Sequence, residues 1–368
     1  MRLALREARR AAGRTFPNPA VGAVVFREGR VLGRGSTRPP GGPHAEIVAL
    51  ESARRRFGER RLRGAELAVT LEPCCFTGRT GPCTDAILRA GIRRVWVGAR
   101  DPHPRVRGRG LAKLRSGGAR VATGVLEDAC REHHRGFLSV HERGRPFLTL
   151  KLAATLDGRI ATARGESRWI SSPPARALVQ RWRSSTDAIL VGSGTVRADD
   201  PELAARSRGR VVHRPVRVVV DSGLRVPTAA RLVREARVAP TWLLCAPRPA
   251  PRRRAALEAH GARVVPVARR GAKLDLRAAL AALAREGITT ALCEGGAGLA
   301  AALLRQGLVD EIHWFVSPRL LGCEGRPALG PLAVARLAEA VELGRVAVAR
   351  VGPDLHVHAR LDSAKLRA

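Results

Sequence analysis

The chain has 368 residues, 45% of them apolar, and carries 66 basic against 32 acidic side chains, a formal charge of +34. That length suits two domains at the usual ~100–200 residues each, and the apolar share excludes a wholly disordered polyelectrolyte. Seven cysteines, an odd number, with no secretory leader and no apolar run long enough for a bilayer, argue against a disulfide scaffold or a membrane protein and predict a reducing, cytoplasmic setting.

Met1 to Thr15 is rich in arginine, yet Leu3, Leu5, Ala8, Ala11 and Ala12 predict an amphipathic helix in place of a transit peptide. Val21 to Phe26 and Arg30 to Gly35 are β-rich runs joined at Glu28-Gly29, which predicts a hairpin. Pro43, taken as the first helical position, predicts a helix from His44 to about Phe57. Ala65 to Leu71 reads as a strand, Thr84 to Ala90 as a helix stopped by Gly91, and Arg94 to Gly98 as a strand. Such alternation predicts a three-layer α/β unit.

Chemistry concentrates in His44-Ala45-Glu46, Pro73-Cys74 and Cys83. Catalytic zinc takes three protein ligands and leaves its fourth position to water, a count that His44, Cys74 and Cys83 meet. Glu46 then sits close enough to move a proton without binding the ion, as in nucleobase deaminases. The alternative is a structural zinc site with Cys75 as fourth ligand, which would leave Glu46 without a task.

The second thiol lies nine positions after the first, across the Gly/Pro loop Cys75-Phe76-Thr77-Gly78-Arg79-Thr80-Gly81-Pro82. This loop, Pro17-Asn18-Pro19-Ala20-Val21-Gly22 and Gly41-Gly42-Pro43-His44-Ala45-Glu46 together resemble the pyrimidine deaminase of riboflavin biosynthesis. The resemblance implies a cytidine-deaminase-like α/β/α domain over residues 1–143, with Zn2+ on His44, Cys74 and Cys83 and Glu46 as proton shuttle. It also implies that Asn18 binds the base and Arg79 the substrate phosphate. Thr37 and Phe76 stand where many members of that family carry histidine; Phe76 would stack on the pyrimidine instead.

Arg143-Gly144-Arg145-Pro146 reads as a linker, and Phe147 to Leu152 as a new strand. Ala153-Ala154-Thr155-Leu156-Asp157-Gly158-Arg159-Ile160-Ala161, Gly165 to Ser172, Asp187 to Val196 and Ala198-Asp199-Asp200-Pro201 follow in order, and resemble the riboflavin-pathway reductase. That resemblance implies a dihydrofolate-reductase-like α/β domain over residues 146–362. It implies Lys151 as the group orienting substrate, with Ser167, Arg183, Leu203, Arg206 and Glu294 as substrate-binding residues. NADPH would lie on Ala153, Trp169, Thr195, Asp199, Ser222, Gly296, Ala297, Gly298, Leu299, Ala300, Ala301 and Ala302.

Read without the resemblance, Cys293-Glu294-Gly295-Gly296-Ala297-Gly298 between a strand (Thr289 to Cys293) and a helix (Leu299 to Gln306) suits a dinucleotide pyrophosphate at a helix start, or only a tight turn. No acid follows ~20 residues on, which favours a non-Rossmann site. Val216 to Asp221, Thr241 to Cys245, Arg263 to Val267 and Glu311 to Val316 read as strands, Ala246 to Arg254 as a surface loop, and Arg345 to Leu361 as a closing hairpin.

Both resemblances together imply one enzyme with two consecutive activities on a phosphorylated pyrimidine, working as a homo-oligomer. One rival is a reductase with an impaired deaminase domain, which Thr37 and Phe76 permit. Another is a polynucleotide deaminase guided by charge. Against specific nucleic-acid binding, the basic residues spread along the chain, only Lys113, Lys151, Lys273 and Lys365 are lysines, and aromatics are 3%.

Overall fold

The structure, a computed structural model, describes residues 1–78 and 81–361. Two compact units divide it, the first formed by Met1–Pro146 with Glu286–Thr289, the second by Phe147–Arg285 and the chain from Thr290 on.

In chain order the first unit holds α1 (Arg2–Ala11), β1 (Gly22–Arg27), β2 (Arg30–Ser36), α2 (Ala45–Phe57), α3 (Glu59–Leu62), β3 (Glu66–Leu71), α4 (Cys83–Arg89), β4 (Arg94–Ala99), α5 (Arg109–Ser116), β5 (Arg120–Ala122), α6 (Glu127–His133) and α7 (Arg135–Arg143). Its five-stranded sheet has the order β2-β1-β3-β4-β5. The β1 strand is antiparallel to β2 and β3, and β3, β4 and β5 are parallel. Glu28 and Gly29 both have positive φ, the conformation a two-residue hairpin needs, so β1 and β2 form locally. In α1 the buried Ala4, Leu5, Ala8 and Ala11 lie on one helical face, against the sheet. Helices α2, α4 and α5 pack together, as do α1 and α6, giving the expected three layers.

One packing detail places the chemistry. A Cβ at Gly33 would lie 2.2 Å from the Ala49 carbonyl oxygen, and one at Gly35 would lie 2.3 Å from that of Ala45. Only glycine lets α2 sit this close to β2, and that contact fixes where the helix begins. His44 is the residue capping α2 and Ala45 its first helical residue. Pro43 therefore lies just before the cap, two positions ahead of the first helical residue that the sequence assigns to it.

The second unit runs β6 (Phe147–Thr155), β7 (Arg159–Ala161), α8 (Pro173–Arg183), β8 (Ala188–Gly192), α9 (Ser193–Asp199), β9 (Ala205–Ser207), β10 (Arg210–His213), β11 (Val216–Val220), α10 (Arg231–Arg234), β12 (Thr241–Cys245), α11 (Pro251–Glu258), β13 (Arg263–Pro266), β14 (Arg269–Arg270), β15 (Lys273–Leu274), α12 (Leu276–Arg285), β16 (Thr290–Cys293), α13 (Ala297–Arg305), β17 (Glu311–Ser317), β18 (Arg326–Pro327), a 3-10 turn (Leu337–Glu339), β19 (Gly344–Val351) and β20 (Asp354–Arg360). Nine strands form one sheet in the order β13-β12-β11-β8-β16-β6-β17-β20-β19. From β13 to β17 all pairs are parallel, and β20 and β19 add an antiparallel edge. Ile189, Val191, Val219, Leu243 and Val264 form part of a core on these strands. The segment Ala246 to Arg254, expected as a surface loop, instead contains the start of α11 at Pro251. Proline suits a first helical position, and Leu257 is the one buried residue of that helix, so no apolar stripe announces it.

Candidate functional site

His44, capping α2, meets Cys74, in the loop after β3, and Cys83, the first residue of α4. Their donor atoms lie close together, with His44 Nδ1 3.6 Å from Cys74 Sγ and 3.3 Å from Cys83 Sγ. A tetrahedral zinc bonded at ~2.3 Å to sulfur and ~2.0–2.1 Å to nitrogen sets such edges at about 3.5 Å. The three side chains therefore fit the ion the sequence implies, through Nδ1 of the imidazole. The Cys83 backbone N–H donates to Cys74 Sγ at 3.4 Å. A hydrogen bond from the Cys83 thiol, together with His44, pulls the Cys74 thiol well below its ordinary range, while the same shared bond and burial push Cys83 up. The Cys75 sulfhydryl points elsewhere, donating to the Arg105 carbonyl at 3.4 Å. Among the described residues the cluster that could hold an ion here is therefore three donors, the count that leaves a catalytic zinc its fourth position.

Glu46 sits in the first turn of α2, 4% exposed. Burial, reinforced by the nearby Cys74 charge, pushes its carboxyl up to about 7, where a group exchanges protons readily at neutral pH. Both His44 and Glu46 open onto a cavity of about 280 Å³. Asn18, Thr37 and Phe76 line it. Thr37 Oγ1 accepts from the Val21 N–H at 3.0 Å, and the Arg105 guanidinium lies 3.9 Å over the Phe76 ring. Arg79 lies outside the described residues.

Asp101, His103 and His141 line the same cavity and were not foreseen. Asp101 is 7% exposed, and burial pushes it up to about 7. Its loop is tied to β3 by Glu72, whose carboxylate accepts from the Gly108 N–H at 3.1 Å and the Leu111 N–H at 3.2 Å. A usable signal is present: Asp101-Pro102-His103-Pro104 comes shortly after the strand read over Arg94 to Gly98, and strand ends are where α/β sheets build sites.

In the second unit the expected residues gather at the C-terminal ends of four adjacent parallel strands, β11, β8, β16 and β6. Ser222 follows β11, Thr195 lies on α9 after β8, Glu294 and Gly296 follow β16, and Lys151 and Ala153 lie on β6. Arg183, ending α8, makes a two-pronged ion pair with Glu294, at 2.6 and 2.8 Å, and donates to the Ala204 carbonyl at 3.1 Å. Burial lowers the Lys151 amine, against the pull of Glu294. The Gly295–Gly296 turn leads into α13, whose cap at Gly296 has φ +82° and offers no side-chain hydrogen bond, and a Cβ at Gly298 would meet open space. Thr195 stands beside this turn, 2.8 Å from where a Gly295 Cβ would be. Open N–H groups at a helix start fit an anionic pyrophosphate. Ala297 and Leu299 are half-buried, Ala300 and Ala301 are buried, and Ala302 is half-buried.

The remaining expected positions are more dispersed. Trp169 is exposed beneath the Arg176 guanidinium, 4.5 Å from its ring centre. Ser167 is half-buried, and the Asp199 carbonyl accepts from Arg168 at 2.6 Å. Leu203 is buried with positive φ, while Arg206, on the short ribbon of β9 and β10, is held by Glu202 at 2.7 Å.

Residues 1–99 match the cytidine and deoxycytidylate deaminase zinc-binding region, and residues 146–357 match the RibD C-terminal domain. The chain is 37% identical over 360 residues to the riboflavin biosynthesis protein RibD of Bacillus amyloliquefaciens, covering 98% of this chain and 95% of that one. With the Escherichia coli RibD it is 38% identical, covering 97% of each. Among solved structures, Acinetobacter baumannii RibD superposes with a TM-score of 0.86 at 33% identity, covering 98% of this chain and 97% of that one. A diaminohydroxyphosphoribosylaminopyrimidine deaminase/5-amino-6-(5-phosphoribosylamino)uracil reductase from Thermotoga maritima gives 0.84 at 34% identity, with the same coverage.

Proposed function

We infer the residue roles from one premise: the chain belongs to the RibD family, a deaminase and a reductase of riboflavin biosynthesis in one polypeptide. A zinc-binding deaminase unit joined to a reductase unit implies zinc and a nicotinamide cofactor. The proposed substrate of the first unit is 2,5-diamino-6-(5-phosphoribosylamino)pyrimidin-4(3H)-one, whose 2-amino group is hydrolysed to ammonia. The second unit then reduces the ribosyl chain with NADPH, giving 5-amino-6-(5-phosphoribitylamino)uracil. The proposed domain limits are 1–143 and 146–362, the last position lying outside the described residues.

His44, Cys74 and Cys83 would hold one zinc ion, which when bound lowers the pKa of a water toward ~7. Glu46 takes the proton of the attacking water, passes it to the ring nitrogen beside C2, and returns a second proton to the departing amine. Its burial keeps that carboxyl near neutrality, so it can act in both directions. Asn18 and Asp101 offer polar groups to the ring at the cavity wall, and Arg79 is assigned to the phosphate.

In the second unit Lys151 orients the substrate carbon that receives hydride, and Arg183 with Glu294 holds its surroundings in place. The start of α13, with Thr195 and Ser222, would take the dinucleotide. The exposed edge strand β19, with Val346 and Val348 open, supports a homo-oligomer, and seven free cysteines support a reducing, cytoplasmic location.

The observation that carries this reading is the convergence of one imidazole and two thiols at zinc-ligand spacing beside the buried Glu46. Its test is ammonia release from the diaminopyrimidinone by the zinc-loaded protein, before and after adding NADPH. Release without NADPH followed by NADPH consumption is expected. No release, with NADPH oxidised once the deaminated intermediate is supplied, would leave a reductase alone and make Thr37 and Phe76 the first suspects.

A further inference from the structure

The second unit carries a side-chain cluster that neither activity uses. Glu311 and His313 are two residues apart on β17 and so share one face of the sheet, and antiparallel β20 places His358 directly across from His313. The Glu311 carboxylate, one His313 ring nitrogen and one His358 ring nitrogen all lie within 4.8 Å of one another. We propose that Glu311, His313 and His358 form a second metal site, for a divalent transition ion of the zinc type, clipping β20 to the parallel sheet.

Two imidazoles and one carboxylate are a zinc donor set that leaves a fourth position to water. With bonds of ~2.0–2.1 Å, a tetrahedral ion sets donor separations of about 3.3 Å. His358 Nε2 lies 2.8 Å from Glu311 Oε1 and His313 Nε2 lies 3.5 Å from Oε2, on either side of that spacing.

The surroundings orient these donors. Trp182 stacks on the His313 ring at 4.1 Å, and His313 Nδ1 lies 3.0 Å from His356 Nε2. With the shared proton on His313 Nδ1, its Nε2 presents a lone pair toward Glu311, the tautomer a metal ligand requires. Glu311 is 2% exposed, and its Oε2 accepts from Thr149 Oγ1 at 3.1 Å, which aims the carboxylate. The His358 side chain is 33% exposed and gives the ion a way in. Its ring stacks on His313 at 4.6 Å, so convergence on one ion asks it to turn about χ2, which its exposure allows.

Arg360 competes for the same carboxylate, with Nε 3.5 Å from Oε1. Its guanidinium also lies over the Phe147 ring, 5.2 Å from the centre, a contact it can keep when an ion takes the oxygen.

The test reloads metal-depleted full-length protein with Co2+ alone and reads bound metal together with absorption. A thiolate site gives intense sulfur-to-metal charge transfer, and a His/Glu site gives only weak ligand-field bands. Two ions per chain are expected, one with the charge-transfer band and one without. In His358→Ala the count should fall to one with the charge-transfer band intact, while NADPH-dependent reduction persists as proof of folding. One ion per chain in the unaltered protein, or two in His358→Ala, would overturn the second site. Loss of the charge-transfer band alone would instead count against the Cys74/Cys83 site.

Discussion

In the first unit, the proposed metal donors and proton shuttle come from two short segments, His44 to Glu46 and Cys74 to Cys83. In the second, Arg183 and Glu294 meet across 111 residues of sequence, and Lys151 comes from yet another strand. The contrast follows from the chemistry. An ion needs three lone pairs aimed at one point, and two helix starts with the loop after β3 supply them with little freedom in spacing. A dinucleotide and a sugar phosphate need an extended surface, which parallel strands from distant parts of the chain assemble at their C-terminal ends.

The sharpest way to break that contrast is Glu46→Ala. Removing a positioned acid/base should lower ammonia release by ~10²–10⁴, while reduction of the deaminated intermediate continues unchanged. Paired assays of ammonia and NADPH on one preparation read both. If reduction collapsed together with ammonia release, the two sites could not be treated as separate constructions.

Next in size is Arg183→Met. The Arg183 and Glu294 side chains are 17% and 7% exposed, so removing the cation strands a buried carboxylate. Breaking such a pair costs ~3–5 kcal/mol. Chemical denaturation followed by tryptophan fluorescence suits this test, because Trp169, Trp182, Trp242 and Trp314 are in the second unit and Trp96 alone is in the first. An unshifted midpoint would mean that the pair forms without contributing to stability.

These same residues show what the sequence makes legible. The hairpin at Glu28-Gly29, the strand before Cys74, the strand that begins at Phe147 and the glycine turn before α13 are local, and each is readable from its own residues. Strand β5 has three residues and no alternation to detect, and α6 buries Cys130 alone, so no apolar stripe announces it. Asp101 and His103 reach the cavity only because β4 pairs parallel to β3 and Glu72 ties down their loop. That is a tertiary fact with a faint local trace. Arg183 could be placed by resemblance, but its locking onto Glu294 could not.

Acid should separate the units by a smaller margin. In the second unit burial lowers His356 from its ordinary 6.5 to about 4. The unfolded chain therefore binds that proton first, so stability is fully present above pH ~6.5 and is lost as pH falls toward 4. Glu294, held down by Arg183 against the effect of burial, loses stability in the same direction at lower pH. In the first unit burial also lowers His133 and His134, but Asp101, raised to about 7, takes up its proton first in the folded state and opposes them. Tryptophan-detected melting, which reads mainly the second unit, should occur at a lower temperature at pH 5 than at pH 7. A higher melting temperature at pH 5 would contradict the burial of His356.

The smallest expected effect bears on Phe76, which with Thr37 is one of two cavity positions where the family resemblance implies histidine. Phe76 lines the cavity without donating to the metal, and its ring is engaged by Arg105 at 3.9 Å and stacked with His103 at 5.9 Å. Phe76→His keeps a flat ring there, weakening a cation–π contact worth ~0.5–1 kcal/mol. That contact lies within the protein, so its loss falls on loop stability more than on substrate binding. The imidazole adds a hydrogen-bonding group at the wall, worth ~0.5–1.5 kcal/mol, or about a two- to tenfold fall in KM for the diaminopyrimidinone. Zinc content should stay constant, because His44, Cys74 and Cys83 are untouched. A fall in KM at constant zinc would make Phe76 part of the substrate pocket, and an unchanged KM would remove it from that wall. Zinc loss would make Phe76 a support for the Cys74 loop, and the first site would then depend on its packed surroundings as the second does.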